Sequence, residues 1–246
     1  MAKSIMITGA SSGIGRSLAY EMADRGYALA LAARRLDELQ TVQKDIGRAH
    51  PSVKVDVCRL DVTEYETIAP ALQGLAKSLG GLDIVFANAG IGLGEKIGAG
   101  EFSSARRTIE TNLIGAMATV DAAVAYFLQR GSGHIVGTSS VAAFRGTPRG
   151  SSYCASKAGF ACYLETLRAE VYRKNIAVTV FYPGFIDTPL NRMLRSRPFL
   201  ISAEKGASLM TDMIERKVRS STVPVMPWCM IARLLKILPT RIIAGL

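Results

Sequence analysis

Short runs of apolar residues alternate along the chain with longer segments whose apolar residues recur at the spacing of a helix. The short runs predict seven strands, at residues 4–8, 27–33, 53–59, 83–87, 134–138, 177–182 and 222–226. Most of these runs contain no polar interruption, which is typical of strands buried on both faces of a sheet. The longer segments predict helices, for example at residues 18–25, 36–48, 102–129 and 152–174.

Strands that alternate with helices predict βαβ units and therefore a parallel sheet. The expected fold is of the α/β class: a doubly wound parallel sheet of about seven strands with helices on both faces. No linker-like run of glycine or proline interrupts the pattern, so residues 1–246 are expected to form a single domain. Ligands of such sheets bind beyond the carboxyl ends of the strands, which directs attention to the loops after strands one, four, five and six.

The composition argues against several classes of protein. With 49% hydrophobic and 20% charged residues, the chain can bury a sizeable core, and disorder is not expected. The first residues lack a basic segment followed by a long apolar stretch, so no signal peptide is expected. No run of uncharged apolar residues reaches the length of a bilayer span, so no membrane helix is expected either.

The positive charge is concentrated near the end of the chain. The net charge is +10, and residues 190–246 contain ten Lys or Arg against three Asp or Glu. A nucleic acid, an acidic protein partner and an anionic membrane are three interpretations, and a basic solvated face is the simplest one. No motif interleaves aromatic and basic residues, so no nucleic-acid partner is expected.

The cysteines and histidines predict neither a disulfide nor a metal site. Cys154 and Cys162 lie eight positions apart on one predicted helix, about 12 Å along its axis, which is too far for a disulfide. His50 and His134 have no usual zinc-ligand spacing to any cysteine, so no metal is expected. Reduced thiols in a cytoplasmic protein are the resulting prediction.

A glycine-rich stretch, TGASSGIG at residues 8–15, follows the first predicted strand and opens the first helix. Gly9 allows a sharp turn, while Gly13 and Gly15 allow the backbone to approach a ligand and the helix to pack on the sheet. The free N–H groups of the helix N-terminus suit a pyrophosphate. The expected phosphate-binding residues are Gly9, Ser11, Ser12, Gly13, Ile14 and Gly15. No Lys-Ser or Lys-Thr pair follows the glycines, which argues against a P-loop.

The end of the second predicted strand indicates which dinucleotide would bind. NAD-binding folds place an acidic residue there, against the ribose 2′-hydroxyl group. This chain has Ala33 followed by Arg34 and Arg35, and a guanidinium suits a 2′-phosphate. NADP(H) is therefore the predicted cofactor, with Arg34 as its phosphate ligand. The alternative is that both arginines only face water.

Seven motifs follow one another in a particular order: TGASSGIG, LDVT at 60–63, ANAG at 87–90, TNL at 111–113, GTSS at 137–140, YCASK at 153–157 and YPGFIDTP at 182–189. In this order and spacing the chain resembles the short-chain dehydrogenase/reductase family over roughly residues 3–190, which implies a Rossmann-type fold. The resemblance implies a catalytic set of Asn112, Ser140, Tyr153 and Lys157. It also implies cofactor contacts from Asp61, Val62, Asn88, Ala89, Gly90, Pro183, Gly184, Ile186 and Thr188, together with Tyr153 and Lys157.

The chemistry expected of this set is proton transfer beside a hydride transfer. A carbonyl that accepts hydride needs a proton, and free tyrosine, with a pKa near 10, exchanges protons poorly at neutral pH. The ammonium of Lys157 is expected to lower the pKa of Tyr153. By the resemblance, Lys157 also holds the nicotinamide ribose. By the resemblance, Ser140 contacts the substrate oxygen, with Ser139 as the weaker candidate, and Asn112 holds a water on a proton path.

The resemblance is weakest after Thr188. Residues 189–203 fall where the family has its substrate loop, and their apolar side chains either line a pocket for a lipophilic carbonyl or pack the lid. Phe144 and Phe185 are further candidates for a pocket wall. In the basic apolar segment 227–246, the nearly continuous apolar stretch 228–238 has only about eleven residues and is too short to span a bilayer. It is expected to cover the cleft or to pack in a dimer, with an interfacial membrane helix as the less favoured alternative.

The preferred hypothesis is an NADP(H)-dependent oxidoreductase that acts on a small or lipophilic carbonyl or alcohol. One alternative is a 3-oxoacyl-carrier-protein reductase, whose acidic partner would explain the basic charge and would use Arg130 and Lys174. Another is a catalytically inactive NADP-binding regulatory protein. The apolar surfaces predicted for helices 102–129 and 152–174 favour a homodimer or homotetramer.

Overall fold

The computed structural model describes residues 2–194 and 196–245. Met1, Arg195 and Leu246, which fall in the predicted domain, substrate loop and C-terminal segment, lie outside the described residues. The strands form one parallel sheet in the order β3-β2-β1-β4-β5-β6-β7. They are β1 (Ser4–Thr8), β2 (Ala28–Ala33), β3 (Val55–Arg59), β4 (Ile84–Ala87), β5 (Gly133–Thr138), β6 (Ile176–Pro183) and β7 (Ser220–Val223). The predicted fold class is confirmed.

Helices connect the strands. They are α1 (Gly13–Asp24), α2 (Leu36–Ala49), α3 (Tyr65–Leu79), α4 (Phe102–Ile109), α5 (Gly115–Arg130), α6 (Ser151–Glu170), α7 (Ala203–Glu215), α8 (Trp228–Ile237) and α9 (Thr240–Ile243). A wide π-type turn, Glu110–Ile114, joins α4 to α5, and a 3₁₀ turn, Val141–Phe144, follows β5.

Three predicted boundaries were wrong for identifiable reasons. The last strand ends at Val223 and not at residue 226, because Pro224 has no N–H group to continue the ladder. Helix α1 begins at Gly13 and not at residue 18, since the second half of the glycine-rich stretch forms its first turn. Helix α6 ends at Glu170, where tighter turns take over and Tyr172 donates its N–H to the carbonyl of Ala169.

The sheet separates two hydrophobic cores. On one face α3, α5 and α6 pack on alternate strand residues such as Met6, Val85 and Ile135. On the other face α1, α2 and α7 pack on the intervening residues, such as Ile7 and Phe86. Because side chains alternate across a strand, both cores use the same unbroken apolar runs, as expected for a parallel sheet covered on both sides.

The helical segment Phe102–Arg130 is long and apolar enough, by length and composition, to cross a membrane. In this fold, however, its residues Val120, Ala123 and Phe127 are buried in the core beneath the sheet. Its apolar character is therefore explained in part by packing on the sheet, and its remaining apolar surface is available to a partner.

Candidate active site

A cleft of about 270 Å³ runs along the carboxyl edge of the sheet. Its walls come from the loops after β1, β2, β3, β4, β5 and β6 and from the first turns of α1 and α6. It is lined by nearly all of the predicted site residues: Gly9, Ser11, Ser12, Gly13, Ile14, Arg34, Asp61, Val62, Asn88, Ala89, Gly90, Ser140, Tyr153, Lys157, Pro183, Gly184, Ile186 and Thr188. Gly15 and Asn112 are the two predicted residues that do not line it.

The first turn of α1 offers free N–H groups to this cleft. Its N-cap residue Ser12 makes no side-chain cap hydrogen bond, and no acidic residue lies in the first turn. Gly9 and Gly13 have φ values of 71° and 55°, a region that favours glycine. Gly15 faces inward, where a Cβ atom would lie 2.5 Å from the carbonyl oxygen of Gly9. An uncapped helix N-terminus beside tight glycines is suited to an anion such as a pyrophosphate.

Asn88 ties together the carboxyl ends of three neighbouring strands. Its backbone N–H bonds the Thr8 hydroxyl at 3.0 Å, and its side-chain amide donates to the Thr8 carbonyl at 3.1 Å. Its Oδ1 accepts from the Thr138 hydroxyl at 3.2 Å. These bonds link β4 to β1 and β5, so the floor of the cleft is held at its centre.

Two arginines lie at the end of the cleft that β2 and β3 form. Nη1 of Arg34 lies 4.0 Å from Oδ2 of Asp61, and its side chain is 58% exposed. Asp61 accepts from the backbone and hydroxyl of Thr63 through Oδ1. Arg35 donates to the Ser11 hydroxyl at 3.0 Å, which connects this end to the glycine-rich loop. A phosphate placed here would meet the exposed guanidinium of Arg34.

Ser140, Tyr153 and Lys157 meet at the opposite end of the cleft. Ser140 follows β5, accepts from the N–H of Ala142 at 3.1 Å, and hydrogen-bonds Tyr153. Nζ of Lys157 lies 5.8 Å from the ring centre of Tyr153 and donates to the Thr138 carbonyl at 2.9 Å. The i, i+4 spacing on α6 thus brings both side chains to one face of the helix.

Burial dominates the electrostatics of this pair. It raises the pKa of Tyr153, and the hydrogen bond with Ser140 acts in the opposite direction. Burial also lowers the pKa of Lys157 to about 8. Lys157 was predicted to lower the pKa of Tyr153, but within the protein this pKa is raised. The reason is that desolvation disfavours both the phenolate and the ammonium. Burial thus shifts both groups toward their uncharged forms, but with a pKa of about 8 Lys157 is still mostly protonated at neutral pH.

Asn112 lies in the wide turn between α4 and α5 and is fully buried. Its Oδ1 accepts from the N–H of Ile91, and its Nδ2 donates to the carbonyl of Ile91, both at 2.8 Å. A Cβ atom on Gly90 would lie 3.3 Å from this Oδ1 and 3.5 Å from Nζ of Lys157. Asn112 thus stands behind the cleft wall at Gly90, close to Lys157, and fixes the loop after β4.

Sequence reasoning missed Glu95, which caps the helix that carries Tyr153. Its Oε1 accepts from the Ser151 hydroxyl at 2.7 Å and from the Ser152 N–H at 2.6 Å, while Glu95 itself is 4% exposed. Burial alone would raise the pKa of Glu95, but these hydrogen bonds outweigh it and the pKa is lowered. A carboxylate at a helix N-terminus also interacts favourably with the helix dipole. No sequence signal marks it, since it lies outside every motif.

The loop after β6 is shaped by two further residues that sequence reasoning missed. Asn191 is buried and donates through Nδ2 to the carbonyl of Ile186 at 2.8 Å. Trp228 of α8 packs directly on Gly184, where a Cβ atom would lie 2.1 Å from the indole ring. The methyl group of Thr188 packs against Gly13. The glycine of the PGFIDTP motif is therefore required for contact with the C-terminal segment.

The predicted substrate loop lines the cleft only at its start. Pro189, Leu190 and Asn191 reach the cleft, whereas Met193 is 93% and Phe199 56% exposed. The loop closes where Ile186 pairs with Ile201, and Arg197 bonds Asp187 at 2.8 Å. The loop's apolar contribution to the cleft comes from Pro189 and Leu190, and none of the described loop residues after Asn191 lines it. Phe144 packs on Tyr182 and Phe185 on Trp228 instead of lining the cleft.

Comparisons with known proteins agree with this geometry. Residues 3–198 match the family described as short chain dehydrogenase. An uncharacterized oxidoreductase of Mycobacterium tuberculosis is 39% identical over 97% of this chain and 94% of its own length. An NADP-dependent 3-hydroxy acid dehydrogenase of Schizosaccharomyces pombe is 34% identical over 76% of this chain and 72% of its own. A solved alcohol dehydrogenase of Thermococcus sibiricus, complexed with 5-hydroxy-NADP, has a TM-score of 0.81 and 27% identity, covering 90% of this chain and 95% of that one.

The chain belongs to the short-chain dehydrogenase/reductase family and is an oxidoreductase of that family. The residues of the cleft have the features that a nicotinamide cofactor requires. The uncapped N-terminus of α1 suits a pyrophosphate, and Gly9 and Gly13 let the loop before it pack closely on Ala89 and Thr188. Tyr153 and Lys157 stand at the other end of the same cleft, where a nicotinamide would place its reactive carbon.

Proposed function

We propose that the protein is an NADP(H)-dependent oxidoreductase that transfers a hydride between the nicotinamide and a carbonyl or alcohol substrate. The observation that carries the proposal is a single cleft with Arg34 at one end, an uncapped helix N-terminus in the middle, and Tyr153 with Lys157 at the other end. The matches to an NADP-dependent dehydrogenase and to a dehydrogenase complexed with an NADP derivative support it.

Each residue at the catalytic end of the cleft has a different role, which follows from its position. Bound cofactor supplies or accepts the hydride. Ser140 orients the substrate oxygen, and Tyr153 donates the proton in reduction and accepts it in oxidation. Lys157 holds the nicotinamide ribose, and its charge favours the phenolate form of Tyr153 once a proton leaves. Asn112 keeps the wall beside Lys157 in place through Ile91.

NADP(H) is proposed over NAD(H) because the end of β2 carries Ala33 and Arg34 where an acid would select NAD. The Arg34 side chain is largely exposed at the rim of the cleft, so it can pair with a 2′-phosphate with little rearrangement. Asp61 lies 4.0 Å from the guanidinium and leaves the Arg34 side chain 58% exposed.

Initial rates with both cofactors and a panel of carbonyls test the proposal. The panel contains aldehydes, ketones, quinones, steroids and acyl thioesters, and the alcohol counterparts are tested with the oxidised cofactors. We expect turnover with at least one class and a higher kcat/KM with NADPH than with NADH. Binding of NADPH by calorimetry without turnover of any class would instead favour the inactive regulatory alternative. A preference for NADH would contradict the cofactor assignment.

The 3-oxoacyl-carrier-protein reductase alternative is less well supported. Arg130 is bound to Asp83 at 2.6 Å and also donates to the carbonyl of Leu82. Both Arg130 and the exposed Lys174 lie at the amino edge of the sheet, opposite the cleft. Activity confined to acyl thioesters in the same panel would instead support the 3-oxoacyl-carrier-protein reductase alternative.

We also propose a homodimer or homotetramer in the cytoplasm. Exposed Leu128 on α5, and a groove of about 760 Å³ between α3 and α5, leave apolar surface for a second copy. The four free cysteines are compatible with a reducing compartment. Light scattering tests the assembly, which a monomer at micromolar concentration would contradict. Fractionation of cells that produce the protein tests the location.

A further inference from the structure

Helix α8 presents an exposed apolar stripe near the cleft. The stripe, defined as Met226, Met230, Leu234 and Ile237, is between 50% and 77% exposed at each residue. Met230, Leu234 and Ile237 follow the i, i+4, i+7 spacing of one helix face. On the opposite face Trp228 and Ala232 are buried. Helix α8 therefore has one apolar side packed on the domain and a second apolar side that is at least half exposed.

The stripe lies in a segment that carries only positive charge. After Glu215 the sequence contains no Asp or Glu, while Arg233, Lys236 and Arg241 lie on or next to α8 and α9. Arg233 and Arg241 are exposed, and Lys236 lies over the ring of Phe144 at 5.3 Å. Basic side chains beside exposed large apolar ones are the pattern of a helix that lies in the plane of an anionic membrane interface.

The domain holds this helix firmly in place. The indole of Trp228 packs on Gly184, and Arg145 donates to the carbonyl of Leu238 at 3.1 Å, just after the helix ends. The stripe therefore points outward because its opposite face is fixed and not because the segment is loose. A preformed apolar surface loses little conformational entropy when it is buried.

The substrate loop, which lies next to α8, also exposes apolar side chains. Phe199 packs edge-on against Trp228, on the buried face of α8, with ring centres 6.1 Å apart, and Met193, Leu194 and Phe199 are all more than half exposed. At the start of the loop, Leu190 lines the cleft. Exposed apolar residues thus occur both on α8 and on the neighbouring loop that begins at the cleft.

We propose that the stripe, with its flanking cations, docks the protein on an anionic lipid surface with the cleft at the membrane. A second copy of the chain fits the stripe less well. In a two-fold contact the stripe would meet itself, so Arg233 and Lys236 would face their own copies with no acid in the segment to pair with. Anionic headgroups supply the missing negative charge, and acyl chains accept the apolar side chains.

Flotation of the purified full chain with lipid vesicles tests the proposal. Phosphatidylcholine vesicles are compared with vesicles that also contain phosphatidylglycerol. We expect flotation with the anionic vesicles, little with the neutral ones, and a reduction at high salt. Leu234→Glu should weaken binding at least about tenfold by removing an inserted aliphatic group. Arg233→Gln should weaken it about fivefold.

The controls carry matched changes in the turns just after the end of α6. Tyr172 is 78% exposed and Arg173 is exposed, so Tyr172→Glu and Arg173→Gln should bind vesicles as the wild type does. Thermal melts and light scattering check that each variant folds and keeps its assembly. A wild type that stays unbound with anionic vesicles overturns the proposal, as does a Leu234→Glu variant that floats normally. Loss of oligomeric mass in Leu234→Glu would also overturn it and assign the stripe to a second copy.

The proposal does not rest on the reaction. Tyr153→Phe should bind vesicles like the wild type even if it has no turnover, since Tyr153 lies inside the cleft. Failure of the hydride-transfer assay with normal flotation would refute the proposed function alone. Active enzyme that does not float would refute only the membrane surface.

Discussion

Two regions meet at the cleft, one formed by residues before 189 and one by residues after 189. They differ in whether their polar or their apolar side chains are buried. In the first, polar side chains such as Asn112, Ser140 and Lys157 are buried and bonded to backbone groups. In the second, apolar side chains such as Met193 and Ile237 are 93% and 77% exposed. A buried polar group is stable only with its partners, whereas an exposed apolar group is stabilised by whatever later covers it.

The two regions therefore have different roles. The first part positions groups that any nicotinamide reaction on a carbonyl requires, and the backbone ends of β1, β4, β5 and β6 fix them. The second part shapes the loop after β6 through the buried Asn191 and Trp228, but many of its large apolar side chains are exposed. The family assignment follows from the first part, and the proposed membrane surface lies in the second.

The largest expected effect is at Tyr153. Tyr153→Phe removes only the hydroxyl that transfers the proton, so kcat should fall about 10²–10⁴-fold while NADPH binding persists. Tyr163→Phe, ten residues farther along α6 and outside the cleft, is the matched control and should keep wild-type turnover. Steady-state rates and calorimetry on the three proteins measure both quantities. Near-normal turnover in Tyr153→Phe would remove the tyrosine from the reaction.

The second effect concerns the stability of the sheet at low pH and lies at the start of β5, away from the cleft. Burial, with a contribution from Lys217, lowers the pKa of His134 from 6.5 to about 4. The folded state therefore keeps His134 neutral where the unfolded chain is protonated. This stabilisation is complete above about pH 6.5 and is lost as the pH falls toward 4, by up to about 3 kcal/mol.

His134→Gln should accordingly flatten the dependence of the unfolding free energy on pH between about pH 7 and 4. Urea unfolding at several pH values measures the difference. A His134→Gln profile as steep as the wild type would assign the acid sensitivity to other groups.

A smaller effect is expected at Glu95, which joins the loop after β4 to the start of α6. Glu95→Ala leaves the Ser152 N–H without its acceptor and should cost about 1–2 kcal/mol of unfolding free energy. Glu95→Gln keeps an acceptor oxygen and should lose less. Because Tyr153 lies on the same first turn, kcat should fall more than NADPH affinity in Glu95→Ala. Equal melting temperatures in all three proteins would contradict the capping role.

The smallest effect is on cofactor choice. The wild type should prefer NADPH at least about tenfold in kcat/KM, which corresponds to about 1.4 kcal/mol. Ala33→Asp/Arg34→Leu should reverse or abolish this preference by supplying an acid and removing the phosphate ligand. Arg48→Leu, at a guanidinium that is 81% exposed on α2, is the control and should leave the ratio unchanged. Equal kcat/KM values of the wild type with NADPH and NADH would contradict the assignment of NADP(H) as the cofactor.

The sequence predicted the cleft better than the surroundings of the cleft. Unbroken apolar runs located the strands, and motifs at their carboxyl ends located residues such as Asn88 and Lys157, because a parallel sheet brings those ends together. Glu95 and Trp228 could not be predicted, since their roles depend on contacts with Ser152 and Gly184, far away in the sequence. The exposure of Met193 was equally unpredictable, because an apolar residue in a loop has no periodicity to indicate its side.

Transfer of deuterium from the cofactor to the substrate tests the central claim most directly. The wild type is incubated with NADPH deuterated at the nicotinamide C4 position and with the best carbonyl of the panel, and the product is analysed by mass spectrometry. We predict that deuterium from one of the two C4 positions appears on the carbinol carbon, and that Tyr153→Phe forms this product far more slowly. A product without deuterium from either C4 position, or none with any carbonyl despite tight NADPH binding, would contradict the account.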